Sequence, residues 1–363
     1  MNFSAMLHLH PSLFGERERV LAEFAGLRAV SFLYPSGVAA LRLEGEAGRM
    51  TLLPFHGQQI WRLELFGREL AMKSLRTEPS ASRVYLENYG AFLLHCGLTA
   101  MGAPGPADTH PLHGELPHAS YQTAQLVIGE DERGAYMGLS GTYEHTVSFK
   151  AHYLARPLVR LYQGSGRVPL SMEVENLGHV PMELMYMAHL NFRPVNGARL
   201  EYSARATPEH VRVRTNLPAH VSPTPEHRAF LDALAQDPTR HHVLEPGLAF
   251  DPEVVLYIDY RAALDGWAHS LQLLPTGSAD FVSHRPEQLG KGVRWICRTP
   301  DQDALGLNLP STAEPEGYTA EKAKGNVQQL AARAKWRCDL EVGVLEGNEL
   351  EQMRAKIAQT LRS

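Results

Sequence analysis

Cysteine is scarce in this chain: Cys96, Cys297 and Cys338 are the only three in 363 residues. They stand far apart, match no zinc-ligand spacing, and make by their odd count a poor disulfide framework. Reduced thiols in a cytoplasmic protein are the expectation. Long hydrophobic runs are missing as well, since no stretch approaches the 18 or so uninterrupted apolar residues of a membrane span. The first twenty residues show no basic start followed by an apolar run, so no secretory signal is expected. Charge of one sign is also lacking. Lys and Arg number 35 against 40 Asp and Glu, a formal net charge of −5, and the basic residues form no stripe. Nucleic acid and anionic membrane are therefore poor partners for this chain. Neither a Gly-x-Ser-x-Gly elbow nor a Cys–His nucleophile pattern occurs, which leaves acyl transfer without support.

What is present suits a large buried core: 44% of residues are hydrophobic and 21% charged, outside the composition of disordered chains. Short runs of branched and aromatic residues alternate with Gly, Pro, Asn and Asp. Ala29–Leu43, Met50–Phe55, Gln59–Leu65, Ser120–Ile128 and Gly134–Leu139 read as strands. So do Thr142–Tyr153, Leu158–Gln163, Leu170–Asn176 and Glu183–Phe192, with turns at Gly164-Ser165-Gly166 and Asn176-Leu177-Gly178. Helical signals are few: Pro225–Gln236, and a surface helix over Gly347–Leu361. Leu98–Pro117 reads as a long loop, of the kind that often carries function, and Leu217–Pro252 as a second irregular stretch. No repeat and no linker interrupts the pattern. The expectation is an all-β sandwich in one domain over residues 1–363, with its core at about 30–345.

Three constellations carry candidate chemistry. The loop from His110 to His118 holds His110, His113, His118 and Glu115. Imidazoles and a carboxylate suit a metal, although Pro111 and Pro117 stiffen the loop and no helix aligns them. The pair His113-Gly114 is notable because glycine allows a tight turn that can aim the preceding imidazole into a cleft. On the strand Tyr186–Arg193, His189, Asn191 and Arg193 share one face; buried, they need a polar ligand or water. Finally, the apolar run Ala304–Pro310, which contains Asn308, leads into a loop bearing Glu314 and Glu316. A carboxylate just past a strand end can serve as a general base.

Taken in order, these pieces resemble the aldose 1-epimerase (galactose mutarotase-like) superfamily, and most of all its uncharacterised bacterial branch. Leu53-Pro-Phe-His-Gly-Gln-Gln-Ile60, followed by Leu63 and Gly67, resembles its early Gly-x-x-Ile-x-x-Leu strand, and His113-Gly114 its first histidine motif. Val174-Glu-Asn-Leu-Gly178 with His189-x-Asn-Phe192 resembles the pair of strands bearing its second histidine. Gly306-Leu-Asn-Leu-Pro310 resembles its late strand. The resemblance implies a large β-supersandwich with few short helices, a small-molecule carbohydrate as partner, and no metal or other cofactor. It leaves a homodimer open. Mutarotation opens a cyclic hemiacetal and recloses it, which requires one base and one acid. By resemblance His189 is the acid, and His113 binds a hydroxyl or steadies the ring oxygen. Asn191, Arg193, Asn308, Glu115 and His110 are further sugar contacts. Asn308 stands where many relatives carry a glutamate, so Glu314, six positions later, is the expected base, with Glu316 behind it. Two other readings stay open: a catalytically silent sugar-binding protein, and a metal-dependent isomerase built on His110, His113 and His118.

Overall fold

The computed structural model describes residues 3–215, 217 and 223–362. Two antiparallel sheets dominate these residues. One has nine strands, in the order Phe3–Leu9, Thr123–Asp131, Gly134–Val147, Ala151–Tyr162, Arg167–Asn176, Lys335–Leu345, Ala279–His284, Ala268–Leu273 and Arg199–Tyr202. The other has thirteen, and its central path runs Val254–Ile258, Lys291–Arg298, Asp303–Ser311, Met182–Leu190, Leu93–Leu98 and Ile60–Leu65.

Period-two patterning explains the nine-stranded sheet. Along Ala151–Tyr162, Tyr153, Ala155, Val159 and Leu161 are buried while Arg156 and Arg160 lie partly open on the other face. Along Arg167–Asn176, Val168, Leu170, Met172 and Val174 turn inward to the same core. The inner strands of the larger sheet are different. Leu93–Leu98 is buried at every position, because one face meets the opposite sheet and the other is covered by loops. Strands covered on both faces lose the alternation and read as continuous apolar runs.

The helices are α1 (Pro225–Gln236), α2 (Tyr318–Ala323) and α3 (Gly347–Arg362). The first matches its expected span, with Thr224 as N-cap accepting from the His227 amide. The expected surface helix is α3. Its Leu350, Met353 and Ile357 lie on Leu271, Ala279, Phe281 and Leu345, the outward face of the nine-stranded sheet. The short α2 was not anticipated.

Some expected strand limits are corrected. Ala29–Leu43 is a hairpin of Leu27–Leu33 and Ala39–Gly45, because Pro35-Ser36-Gly37 inside the run makes the turn, with Gly37 at φ 81°. Gly134–Leu139 and the start of Thr142–Tyr153 form one strand of 14 residues. Leu217–Pro252 contains α1 and a 3-10 turn at Pro238–His241, while its residues 218–222 lie outside the described residues. No helix among the described residues is long and apolar enough to cross a membrane.

Candidate active site

A cavity of about 700 Å³ opens on the loop-covered face of the thirteen-stranded sheet. Its floor is made by strands. Val255 pairs with Trp295, and Val293 with Leu309, so these four side chains come up together on one face, joined by His189. Loops complete the wall with Tyr85, Tyr89, Leu112, His113 and Glu253.

His189 is the best-defined group in it. Its Nδ1 lies 2.9 Å from Asn191 Oδ1. The Asn191 amide is oriented by two other bonds: its Nδ2 donates to the Ala91 carbonyl at 2.9 Å, and its Oδ1 accepts from Tyr89 Oη at 3.0 Å. The oxygen facing His189 can only accept, so the neutral imidazole carries its proton on Nδ1 and leaves the Nε2 lone pair for the cavity. Burial pushes the His189 pKa down to about 4, against a smaller opposing effect of the Asn191 bond. The ring is enclosed edge-on by Tyr89 at 5.9 Å, Trp295 at 5.6 Å and His113 at 5.3 Å.

His113 reaches that position through an unusual backbone. It has φ 60° and Gly114 has φ 80°. A Cβ at Gly114 would lie 2.2 Å from the Ala100 carbonyl oxygen and 2.6 Å from that of Gly97, so glycine is required there on steric grounds as well. The His113 amide donates to the Gly102 carbonyl, and its own carbonyl accepts from the Gly97 amide. Its ring stands perpendicular to His189 and 4.9 Å from Tyr85.

Glu253 supplies the carboxylate of the cavity. It pairs with the buried Arg214, and its Oε2 accepts from Trp295 Nε1 at 2.7 Å. Among the described residues no group of three or more His, Cys, Asp or Glu is arranged to hold a metal.

The expected site residues fall into two sets. His113, His189 and Asn191 come together, with Asn191 behind His189 rather than in the cavity wall. The others stand elsewhere. Glu115 sits beneath the loop, accepting from the Leu98 and Thr99 amides, Thr99 Oγ1 and Tyr153 Oη. His110 faces away, where its Nε2 accepts from the Tyr318 amide and lies 3.6 Å from Asp108. His118 Nδ1 meets Gln59 Nε2 at 2.8 Å, so the three imidazoles of the loop do not converge. Arg193 is exposed and its Nε donates to the Ala71 carbonyl; the chain leaves the strand after Leu190, and its shared face with His189 ends there. Leu309 faces the cavity, so alternation turns Asn308 to the space between the sheets, where its Nδ2 lies 3.1 Å from His284 Nδ1. Glu314 is buried between Arg212 and Lys324, each 2.7 Å from one of its oxygens. Burial opposes ionisation there, but the hydrogen bonds from Lys324 and Arg212 hold its carboxyl below the usual range. Glu316 bonds Tyr257 Oη.

Sequence reasoning passed over Tyr85, Tyr89, Glu253 and Trp295. Glu253 precedes the strand Val254–Ile258, so the argument used for Glu314, a carboxylate beside a strand end, applies to it equally. Tyr85 and Tyr89 gave no signal beyond an aromatic pair four residues apart.

The architecture is that of the galactose mutarotase-like proteins. A Klebsiella pneumoniae protein provisionally named an aldose 1-epimerase superposes with a TM-score of 0.80 at 18% identity, covering 100% of this chain and 96% of its own. A protein of Synechocystis sp. PCC 6803 gives 0.58 at 16% identity, with 85% and 96% covered. A galactose mutarotase-like protein of Clostridium acetobutylicum gives 0.57 at 12%, with 89% and 100% covered. No curated protein matches the sequence. The chain belongs to the family described as Domain of unknown function (DUF4432), whose profile matches residues 35–344.

Proposed function

We propose that this cavity binds a reducing sugar and interconverts its anomers, as an aldose 1-epimerase does. The observation that carries the reading is the perpendicular His113–His189 pair with the His189 tautomer set by Asn191. A ring-opening step needs one group to take the proton of the anomeric hydroxyl and another to protonate the ring oxygen. With Nδ1–H committed to Asn191 and a pKa near 4, His189 suits the first task through Nε2. This reverses the role that the resemblance implies for it. His113, beside it, then delivers the proton to the ring oxygen, and the two exchange tasks when the ring recloses on the other face. The Glu253 carboxylate, aimed by Arg214 and Trp295, accepts from sugar hydroxyls, and the faces of Tyr85, Tyr89 and Trp295 pack against the ring. Tightly held Glu314 is left with a structural task. Where the sugar is held but the ring stays closed, the chain is a silent sugar binder.

The deciding experiment is NMR exchange spectroscopy on a panel of aldoses with and without protein. Acceleration of α/β exchange that disappears in His189→Ala, with the fold intact by circular dichroism, is the expected result. Line broadening without acceleration would establish the silent binder, and an unfolded His189→Ala would make the histidine structural.

A further inference from the structure

Each of the two sheets ends in two edge strands, and an edge pairs with other chains unless something blunts it. Three of the four are blunted. Arg199–Tyr202 has only four residues, and the segment 242–244 runs along it, with the Leu200 amide donating to the His242 carbonyl. Val211–Val213 has three residues. Arg19–Phe24 has a bulge between Val20 and Ala22 and carries the charges of Arg19 and Glu23.

The fourth edge, Phe3–Leu9, has none of these devices. Its seven residues pair with Thr123–Asp131 without a register shift, and they include no Pro, Lys, Arg, Asp or Glu. Among the described residues no backbone hydrogen bond reaches this strand except through that ladder. Leu7 and Leu9 pair with Leu126 and Ala124, which are buried in the core. Ala5, Leu7 and Leu9 therefore turn toward the opposite sheet, and Ser4, Met6 and His8 away from it. Met6 is 68% exposed, and Leu7, although on the core side, is 38% exposed. The apolar interior is open where the sheet stops. One more strand added here would cover Leu7 and pair the outer backbone groups.

We propose that Phe3–Leu9 is a dimer interface, on which the same strand of a second copy lies antiparallel and joins two nine-stranded sheets into one. Self-pairing suits this strand, because with no Lys, Arg, Asp or Glu in it no like charges come opposite each other. Its surroundings select the antiparallel orientation. The Phe3 end lies beside Glu130, with which Phe3 pairs, and the turn at Glu132; both carboxylates are on exposed residues. The Leu9 end carries exposed His8 and His10, whose ring nitrogens can donate to a carboxylate. A two-fold axis brings the acidic end of each copy to the histidine end of the other, whereas a parallel pair would crowd the carboxylates together. The contact is isologous and uses the same edge in both copies, so association stops at two.

The test is sedimentation velocity of the full chain between about 1 and 200 µM, a span that covers the affinities of small interfaces. At high concentration a species of twice the 40.3 kDa chain mass is expected, with nothing larger. The triple variant Ser4→Lys/Met6→Lys/His8→Lys sets lysines opposite lysines across the two-fold axis, since residues on one face of a sheet meet residues on that same face. All three positions are exposed, so the variant is expected to keep its melting temperature at the lowest concentration and to lose the dimer throughout the range. In the wild-type chain, amide hydrogen exchange over Phe3–Leu9 should be slower at the top of the range than at the bottom. A wild-type chain that stays monomeric, or a dimer that survives in the triple variant, would overturn the proposal. So would assemblies larger than two, or exchange in this strand that does not depend on concentration.

Discussion

The Asn191 amide decides which nitrogen of His189 faces the cavity. Its geometry admits one neutral tautomer, and burial keeps that form down to about pH 4. The acid-side loss of sugar exchange should therefore not begin near pH 6.5, where an exposed imidazole titrates. As a base, His189 works in its neutral form, so its protonation should cost no kcat/KM between pH 7 and pH 5. An acid limb falling with a midpoint near 6.5 would mean that the base is an ordinary, solvated imidazole. Asn191→Asp puts a carboxylate against Nδ1, which favours the imidazolium and raises the pKa. The bend should then move up toward neutrality, with activity lost on its acid side. The same change removes the donor to the Ala91 carbonyl and should cost about 1–3 kcal/mol of stability, readable by urea denaturation.

At the scale of elements, the loop over residues 99–122 turns a scaffold into a site. Its conformation rests on two things: the positive φ of His113 and Gly114, and Glu115 bound to the ends of two strands. Gly114→Ala forces a Cβ into the carbonyls of Ala100 and Gly97. It should cost about 1–3 kcal/mol of strain and displace His113, lowering exchange far more than the stability loss alone predicts. Retained wild-type exchange in that variant would show that His113 does not need its observed position. Glu115→Gln keeps an acceptor for the amides but removes the charge, so a milder loss of both is expected. The second loop partner, residues 314–319, was invisible as such in the sequence. Gly102 and Glu316 form a bridge, and Ala103 donates to the Pro315 carbonyl, so the segment read as bearing the base packs on the histidine loop.

For the whole molecule, the notable feature is how many imidazoles lie inside. Burial pushes His95 and His189 to about 4, and His118 and His284 to about 3. All four titrate near 6.5 when unfolded. Between those values the unfolded chain binds more protons than the folded one, so stability falls as pH falls. The contribution is complete above about pH 6.5 and lost progressively toward 3–4, at up to about 1.4 kcal/mol per pH unit for each group. Urea denaturation at pH 7, 6 and 5 should show a steep decline across that series. A level stability from pH 7 to pH 5 would contradict neutral buried imidazoles.

Composition and short-range pattern by themselves determined the all-β class, the terminal helix, the first helix and most strands, since period-two alternation and turn residues act over a few positions. They also singled out His113-Gly114 and His189, because glycine after histidine and a polar face on an apolar strand are local signals. Only the tertiary structure decided which of the other candidates meet. Tyr89, His113, His189, Glu253 and Trp295 lie far apart in the chain and are joined by strand pairing across one sheet and by two loops folded over it. A shift of one position along a strand sends a side chain to the opposite face. That is why Leu309 looks into the cavity while Asn308 faces His284; of the two carboxylates beside strand ends, Glu253 and not Glu314 lines the cavity.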